Sequence, residues 1–455
     1  MLKKNEEYVV DIVDNGYLGE GIAKIDGITV FIDQAIKGEK IRIKIIKVMT
    51  NFSYGKIVEI LKKSKYRRDE DCSTYRRCGG CSLRHIEYSE TLNIKKQIVE
   101  NCIYKALKKE IKVEETLGMK SPMYYRNKLQ YPVGLNGKNE PIMGVYSDRT
   151  HDVIETSKCL IQNEIAQEIA NDIFEFIKLN KISVYNERTL RGTVRHIIVR
   201  IGIKTNEVLV TIVINDKSLK NEKELADMLT NRYKNVKTII KNVNSENTNV
   251  ILGKSEEIIY GEGYIYDVLG EYKFKISAKS FYQVNPVQTE VLYNIAIDHI
   301  RDKENNVAID LYCGIGTIGI FASKYFKKVY GIENVSEAIE DAKENAIIND
   351  IKNIEFLHGD VEETLPELLK KEKIKPDVIF VDPPRKGLDN VTIAKLLEIK
   401  PKQIIYISCN PATLARDLEK LEEKYIIGKV QPVDMFPYTK HIETVSLLTL
   451  LTGEK

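Results

Sequence analysis

The chain has no run of about 18 apolar residues, the length a membrane-spanning helix needs. Its first residues, Met1-Leu2-Lys3-Lys4-Asn5-Glu6-Glu7, lack the apolar centre of a signal peptide. Both absences point to a soluble, cytoplasmic protein with no membrane partner. Net charge is equally scarce, since 69 basic and 66 acidic residues leave +3 over 455 positions. A uniformly basic nucleic-acid binder is thereby excluded, and any such face has to be local. One local cluster is present, Lys62-Lys63-Ser64-Lys65-Tyr66-Arg67-Arg68, which reads as a solvated linker or as an RNA contact. Repeats and low-complexity tracts are also missing, which excludes solenoids and disordered scaffolds. The seven cysteines, in a reducing compartment, argue for metal or catalytic duty over disulfides.

What is present falls into three stretches, giving a multidomain α/β expectation. Residues 1–61 carry short strand patterns at Tyr8 to Val13, Ile28 to Ile32, Lys40 to Val48 and Tyr54 to Leu61, separated by glycines. Evenly spaced strands in so short a stretch predict a small OB-like β-barrel. Residues 62–270 hold a cysteine-bearing loop, an amphipathic helix from Ser89 to Lys109, a helix near Gln162 to Lys178, and strands such as Val194 to Gly202 and Glu207 to Ile214. That pattern is α+β. Residues 271–455 alternate strand and helix, with strands at Val307 to Tyr312, Lys328 to Ile332, Val378 to Val381 and Gln403 to Ile407, so an open, mostly parallel sheet is expected.

The strongest chemical signal is Ser408-Cys409-Asn410-Pro411. It sets a thiol between a buried strand and a helix in which Asn410 suits the cap and Pro411 the first turn. Cys409 should therefore face a helix N-terminus, which favours thiolate over thiol. A second signal is Asp310-Leu311-Tyr312-Cys313-Gly314-Ile315-Gly316-Thr317-Ile318-Gly319, a strand end whose glycines let the backbone pass closely under an adenosyl group. Glu333, ending the next strand, could bind ribose hydroxyls in either a dinucleotide or an S-adenosylmethionine reading. Val381-Asp382-Pro383-Pro384-Arg385-Lys386-Gly387, at another carboxyl edge, favours S-adenosylmethionine over NAD. Cys102 and Cys313 read as packing residues. Cys72, Cys78, Cys81 and the distant Cys159 group four thiols that could hold iron-sulfur or zinc, and spacing alone leaves both open.

Together these motifs resemble the bacterial RNA 5-methyluridine methyltransferases, in particular the 23S rRNA (uracil-5-)-methyltransferase branch with a TRAM domain and an iron-sulfur cluster. Phe281-Tyr282-Gln283-Val284-Asn285-Pro286, the Asp310–Gly319 and Asp382–Gly387 loops, Glu333, Ser408 to Asp417 and Phe436-Pro437-Tyr438-Thr439-Lys440-His441-Ile442-Glu443 carry the likeness. It implies a TRAM barrel, a central iron-sulfur domain and a C-terminal Rossmann-like class I methyltransferase domain, with residues 84–115 packed on that last domain. It further implies that Gln283, Tyr312, Glu333, Asp360 and Asp382 contact S-adenosylmethionine, and that Cys72, Cys78, Cys81 and Cys159 bind a 4Fe-4S cluster. Cys409 would add to uracil C6, which makes C5 nucleophilic toward the methyl group, and Glu443 would then remove the C5 proton. RNA is the implied partner of a monomeric enzyme, with 23S rRNA favoured over tRNA. Two other readings compete. One is a non-catalytic RNA chaperone using the barrel, the Lys62–Arg68 cluster and Arg188, Arg191, Arg195 and Arg200. The other is an NAD-dependent oxidoreductase.

Overall fold

The computed structural model describes residues 2–148, 150–300 and 305–451. At the N-terminus six strands form one sheet in the order Glu7–Asp11, Lys40–Val48, Phe52–Lys62, Ile28–Ile32, Gly21–Ile25, Asp14–Asn15. Alternation fixes its inner face, where Ile41, Ile43 and Ile45 are buried while their neighbours Lys40, Arg42 and Lys44 are exposed. The expected barrel is not closed by hydrogen bonding, since no ladder joins the two edge strands among the described residues. The reason is a bend. The edge strands are two halves of one segment, and at the bend Ile12 N–H turns to Glu39 O at 2.9 Å while Val13 N–H turns to Ile22 O at 2.8 Å.

The linker that follows is stapled to this sheet. Glu39 is buried and accepts from Arg67 Nε at 2.5 Å and Arg67 Nη2 at 2.8 Å. Arg68 Nη1 donates to Tyr438 Oη at 2.9 Å. Two of the five cations in the Lys62–Arg68 cluster are thus structural, and only Lys62, Lys63 and Lys65 stand exposed.

The central stretch folds as a second sheet in the order Ser255–Tyr260, Val236–Val243, Val208–Ile214, Val194–Ile201, Lys128–Leu135, Pro141–Tyr146, Val153–Glu155. Val194–Ile201 and Val208–Ile214 are buried along their whole length, so both faces are covered, and helix Glu164–Leu179 packs on one of them. This burial corrects the reading of Arg195 and Arg200 as RNA contacts. Arg195 Nη1 donates to Asn244 O at 2.6 Å and its guanidinium stacks on Tyr185, while Arg200 Nη2 donates to Ser280 O at 2.6 Å.

The C-terminal sheet runs Ile354–His358, Phe326–Glu333, Asn305–Leu311, Val378–Val381, Gln403–Ser408, Glu443–Leu450, Tyr425–Val433. Its first five strands are parallel, and Glu443–Leu450 is antiparallel to both neighbours. Strand order reverses beside Asn305–Leu311, so a crevice opens at the carboxyl ends of that strand and Val378–Val381. An early segment completes this layer. Helix Tyr88–Leu107 packs on helix Pro411–Leu421, and Glu114 N–H and Leu117 N–H donate to Val430 O and Pro432 O. Lys95 and Asp434, both fully buried, form an ion pair across the same interface. No helix among the described residues is long and apolar enough to cross a membrane.

Candidate active site

Cys409 follows strand Gln403–Ser408, all six residues of which are buried, and precedes helix Pro411–Leu421. Asn410 caps that helix, accepting from Ala412 N–H at 3.1 Å, while its Nδ2 donates to Arg385 O at 3.0 Å. The nucleophile turn and the Asp382–Gly387 loop are therefore tied together. The electrostatics differ from the thiolate expectation. Burial, then the Glu443 and Asp382 carboxyl groups, push the Cys409 thiol up to about 11, and Arg385 offsets only part of this. One helix N-terminus contributes about 0.3–1 kcal/mol, which desolvation and two neighbouring acids outweigh.

Glu443 opens its strand at 4% exposure, and its acid is raised well above the ordinary range by burial and by Asp382. Asp382 borders the cavity, yet its carboxyl sits deep enough for burial to raise it to about 7. Asp310, fully buried behind the glycine loop, is raised to about 8 by burial, although Gly319 N–H donates to its Oδ2 at 2.8 Å. These acids thus keep their protons to higher pH than exposed carboxyl groups do.

A cavity of about 940 Å³ lies over these groups, and Gln283, Tyr312, Glu333, Asp360, Asp382, Cys409 and Glu443 all line it. Several elements build its walls. Tyr312 takes a left-handed φ of 64° at the end of its strand, followed by Gly314 and Gly316 at 54° and 81°. A Cβ on Gly316 would stand 2.6 Å from the Phe356 ring, so the close turn needs glycine there. Glu333 Oε2 accepts from Gly314 N–H at 3.1 Å, and its Oε1 accepts from Asn334 and Val335 N–H. Asp360 accepts from Asn334 Nδ2 at 3.2 Å. The Gln283 loop is pinned from the central sheet, since Asn127 Nδ2 donates to Gln283 O at 3.0 Å and Arg200 holds the turn before it.

Three contributors carried no role in the sequence reading. Phe281, 70% exposed, and His441 both line the cavity. Burial and then the cations Arg385, Lys440, Lys95 and Arg126 lower His441 to about 4, so its imidazole is neutral, and its ring meets Phe436 edge-on. Its spacing two before Glu443 was the available signal. The third is Tyr17, whose hydroxyl donates to Asn410 Oδ1 at 2.7 Å across 393 positions, a separation that no local pattern reveals. Cys313, read as packing, is buried and also lines the cavity.

All seven cysteines are free thiols. No group of three or more His, Cys, Asp or Glu stands close enough to hold a single metal ion among the described residues. Cys72, Cys78, Cys81 and Cys159 nonetheless share one electrostatic neighbourhood. Burial first, and then one another's charge, raise the thiols of Cys78 and Cys81, the latter to about 12, and Cys72 adds to the burial that raises Cys159. Gly80 N–H points at Cys78 Sγ at 3.3 Å.

Comparison with known proteins agrees along the whole chain. The profile of the family described as tRNA (Uracil-5-)-methyltransferase matches residues 87–450, and that of the TRAM domain matches residues 2–58. An uncharacterized RNA methyltransferase of Clostridium acetobutylicum is 47% identical, over 98% of each chain. Another, from Staphylococcus aureus strain MSSA476, is 44% identical over 99% of each. In three dimensions the chain is similar to the tRNA (uracil-54, C5)-methyltransferase of Pyrococcus abyssi, solved with S-adenosyl-L-homocysteine. The TM-score is 0.78 at 25% identity, covering 97% of this chain and all of that one.

Proposed function

Since the chain belongs to the uracil-5-methyltransferase family of S-adenosylmethionine-dependent RNA methyltransferases and carries an N-terminal TRAM domain, we propose that it methylates C5 of a specific uridine through a covalent Cys409 adduct. The observation that carries this reading is the single cavity shared by Cys409, Glu443 and Asp382. Cys409 reacts as its thiolate once the thiol proton has passed to solvent; its sulfur bonds to uracil C6, and the C5–C6 π electrons move to make C5 an enolate carbon. C5 then bonds to the donor's methyl carbon as the methyl–sulfonium bond breaks, its electron pair going to sulfur and leaving S-adenosylhomocysteine. Glu443 takes the remaining C5 proton, and the electron pair re-forms the C5–C6 bond as the Cys409 sulfur leaves. Gln283, Tyr312, Glu333, Asp360 and Asp382 hold the donor. A sulfonium beside Asp382 and Glu443 favours their ionised forms, which readies Glu443 to accept a proton. A target within folded RNA has to be extruded to reach the cavity.

The proposed substrate is 23S rRNA, on the motif set shared with that branch. A second reading, tRNA, is favoured by the full-length likeness to the tRNA (uracil-54, C5)-methyltransferase, because that likeness removes the N-terminal domain as a discriminator between the two. Mass-spectrometric mapping of 5-methyluridine in rRNA and tRNA from cells with and without the gene tests both. A missing 5-methyluridine in 23S rRNA supports the first reading, one missing only in tRNA the second, and no change in either RNA sinks the function.

The four cysteines are proposed to ligate a 4Fe-4S cluster, whose ligand sulfurs stand farther apart than those around one zinc ion. Burial of Cys78, Cys81 and Cys159 in one neighbourhood keeps this group of thiols apart from bulk water. Such a cluster would tie the Cys72–Cys81 loop to Cys159 and hence to the central sheet. Protein purified without oxygen should contain about four irons and four sulfides per chain. Stoichiometric zinc without iron would refute the assignment.

A further inference from the structure

Alternation along the N-terminal sheet leaves three rings on its outer face. Val30 and Ile32 on one strand and Ser53 and Gly55 on its neighbour are buried, so Phe31, Phe52 and Tyr54 point the other way. Phe31 pairs directly with Tyr54 across the ladder, and Phe52 sits one step along the same face. The rings contact one another with centroids 5.5 to 6.1 Å apart. None of the three belongs to a buried core cluster, and Tyr54 is 38% exposed. Phe31 and Phe52 are half-buried and Tyr54 is exposed, so part of the ring surface on this solvent side of the sheet stays uncovered.

The charges around it decide what could cover that surface. Lys47 lies opposite Tyr54 across the ladder, Lys56 follows Tyr54 on the same face, and Lys24 flanks the other side, opposite Thr29. All three are exposed, and among the described residues none has a carboxylate within salt-bridge distance. Lys56 moreover faces Lys44 directly across the strands, a like-charge pair that costs the sheet stability. Rings that offer faces to planar groups, rimmed by unpaired cations, match a polyanion whose monomers carry flat, stackable bases.

We infer that Phe31, Phe52 and Tyr54 form a stacking platform for unpaired RNA bases flanking the target, with Lys24, Lys47 and Lys56 holding the adjoining phosphates. This rests on the RNA-methyltransferase reading for the identity of the polymer. Its test does not depend on methyl transfer. Single-stranded RNA bearing 2-aminopurine should lose fluorescence on binding the full-length protein as the base stacks. Phe31→Leu/Phe52→Leu/Tyr54→Leu, which keeps the apolar bulk and removes the rings, should abolish that quenching. It should also weaken single-strand affinity by about tenfold or more while leaving the salt dependence unchanged. Lys24→Gln/Lys47→Gln/Lys56→Gln should instead flatten the salt dependence and keep the quenching. Single Tyr54→Leu, at an exposed position, should retain the thermal midpoint and still reduce quenching. Leucine variants that bind single strands as the wild type does, or that weaken duplex RNA equally, overturn the inference. A protein that stacks single strands yet leaves 5-methyluridine unchanged in cells fails the functional proposal and not this one.

Discussion

Tyr17 on the N-terminal sheet donates its hydroxyl to Asn410 Oδ1 at 2.7 Å, and so reaches the residue immediately after the nucleophile. The hairpin that carries it is held in place, because Gly19, at φ 86°, packs so close to Leu83 that a Cβ there would lie 2.5 Å from its side chain. Leu83 in turn donates its N–H to Tyr438 O at 2.9 Å, in the segment that leads to Glu443. The N-terminal sheet is therefore braced against both sides of the Cys409 site.

Tyr17→Phe removes that hydrogen bond and little else. With about 0.5–1.5 kcal/mol at stake, adduct formation at saturating RNA should slow roughly two- to tenfold. Affinity for S-adenosylhomocysteine should stay the same. The rate of covalent trapping by RNA containing 5-fluorouridine measures this, and an unchanged rate would show that the contact is merely adjacent to the chemistry.

Cys409 and Glu443 are assigned to opposite ends of one reaction, so their variants should fail differently. Cys409→Ala should abolish methyl transfer and keep donor binding. Glu443→Gln should still add and methylate, then accumulate a covalent enzyme–RNA complex, because proton removal from C5 is slow. A denaturing gel reveals the complex as a shifted band that requires Cys409. Activity in Cys409→Ala would end the covalent mechanism.

Local pattern was enough to locate the nucleophile turn. Asn410 and Pro411 are residues whose backbone preferences dictate a helix start, and the structure begins the helix at Pro411. Strand Val378–Val381 was legible for a similar reason, as a short apolar run ending at Asp382-Pro383-Pro384. The state of the thiol was not legible. It depends on two carboxyl groups, from Glu443 and Asp382, that only the sheet brings beside Cys409. Arg67 shows the same limit. In sequence it is one of five cations, and only the fold reveals the buried Glu39 that claims it.

That division within the basic cluster is testable. Lys62→Gln/Lys63→Gln/Lys65→Gln should weaken RNA binding and flatten its salt dependence without altering stability. Arg67→Gln should do the reverse. It strands the buried Glu39 carboxylate, at a cost of roughly 3–5 kcal/mol, and should lower the urea midpoint of the N-terminal domain. Equal effects of the two sets on the salt slope would return Arg67 to the RNA-facing group.

The raised acids of the site make both stability and donor binding depend on pH, with a definite sign. Asp382 and Asp310 have folded values of about 7 and about 8, against about 4 for an unfolded aspartate. Between those limits the native state holds more protons than the unfolded chain, so stability must fall as pH rises through the window. The thermal midpoint of the donor-free protein should accordingly decline from mildly acidic to mildly alkaline pH. Asp310→Asn, which keeps an oxygen for Gly319 N–H and cannot ionise, should flatten the decline. S-Adenosylmethionine brings a sulfonium cation that prefers an ionised Asp382. Its affinity should rise by up to about tenfold per pH unit toward pH 7 and level off above. S-Adenosylhomocysteine has no sulfonium and should respond less, and Asp382→Asn should erase the difference between the two. Calorimetric titrations across this range decide the matter, and parallel pH profiles for the two ligands would show that Asp382 does not face the methyl-bearing sulfur.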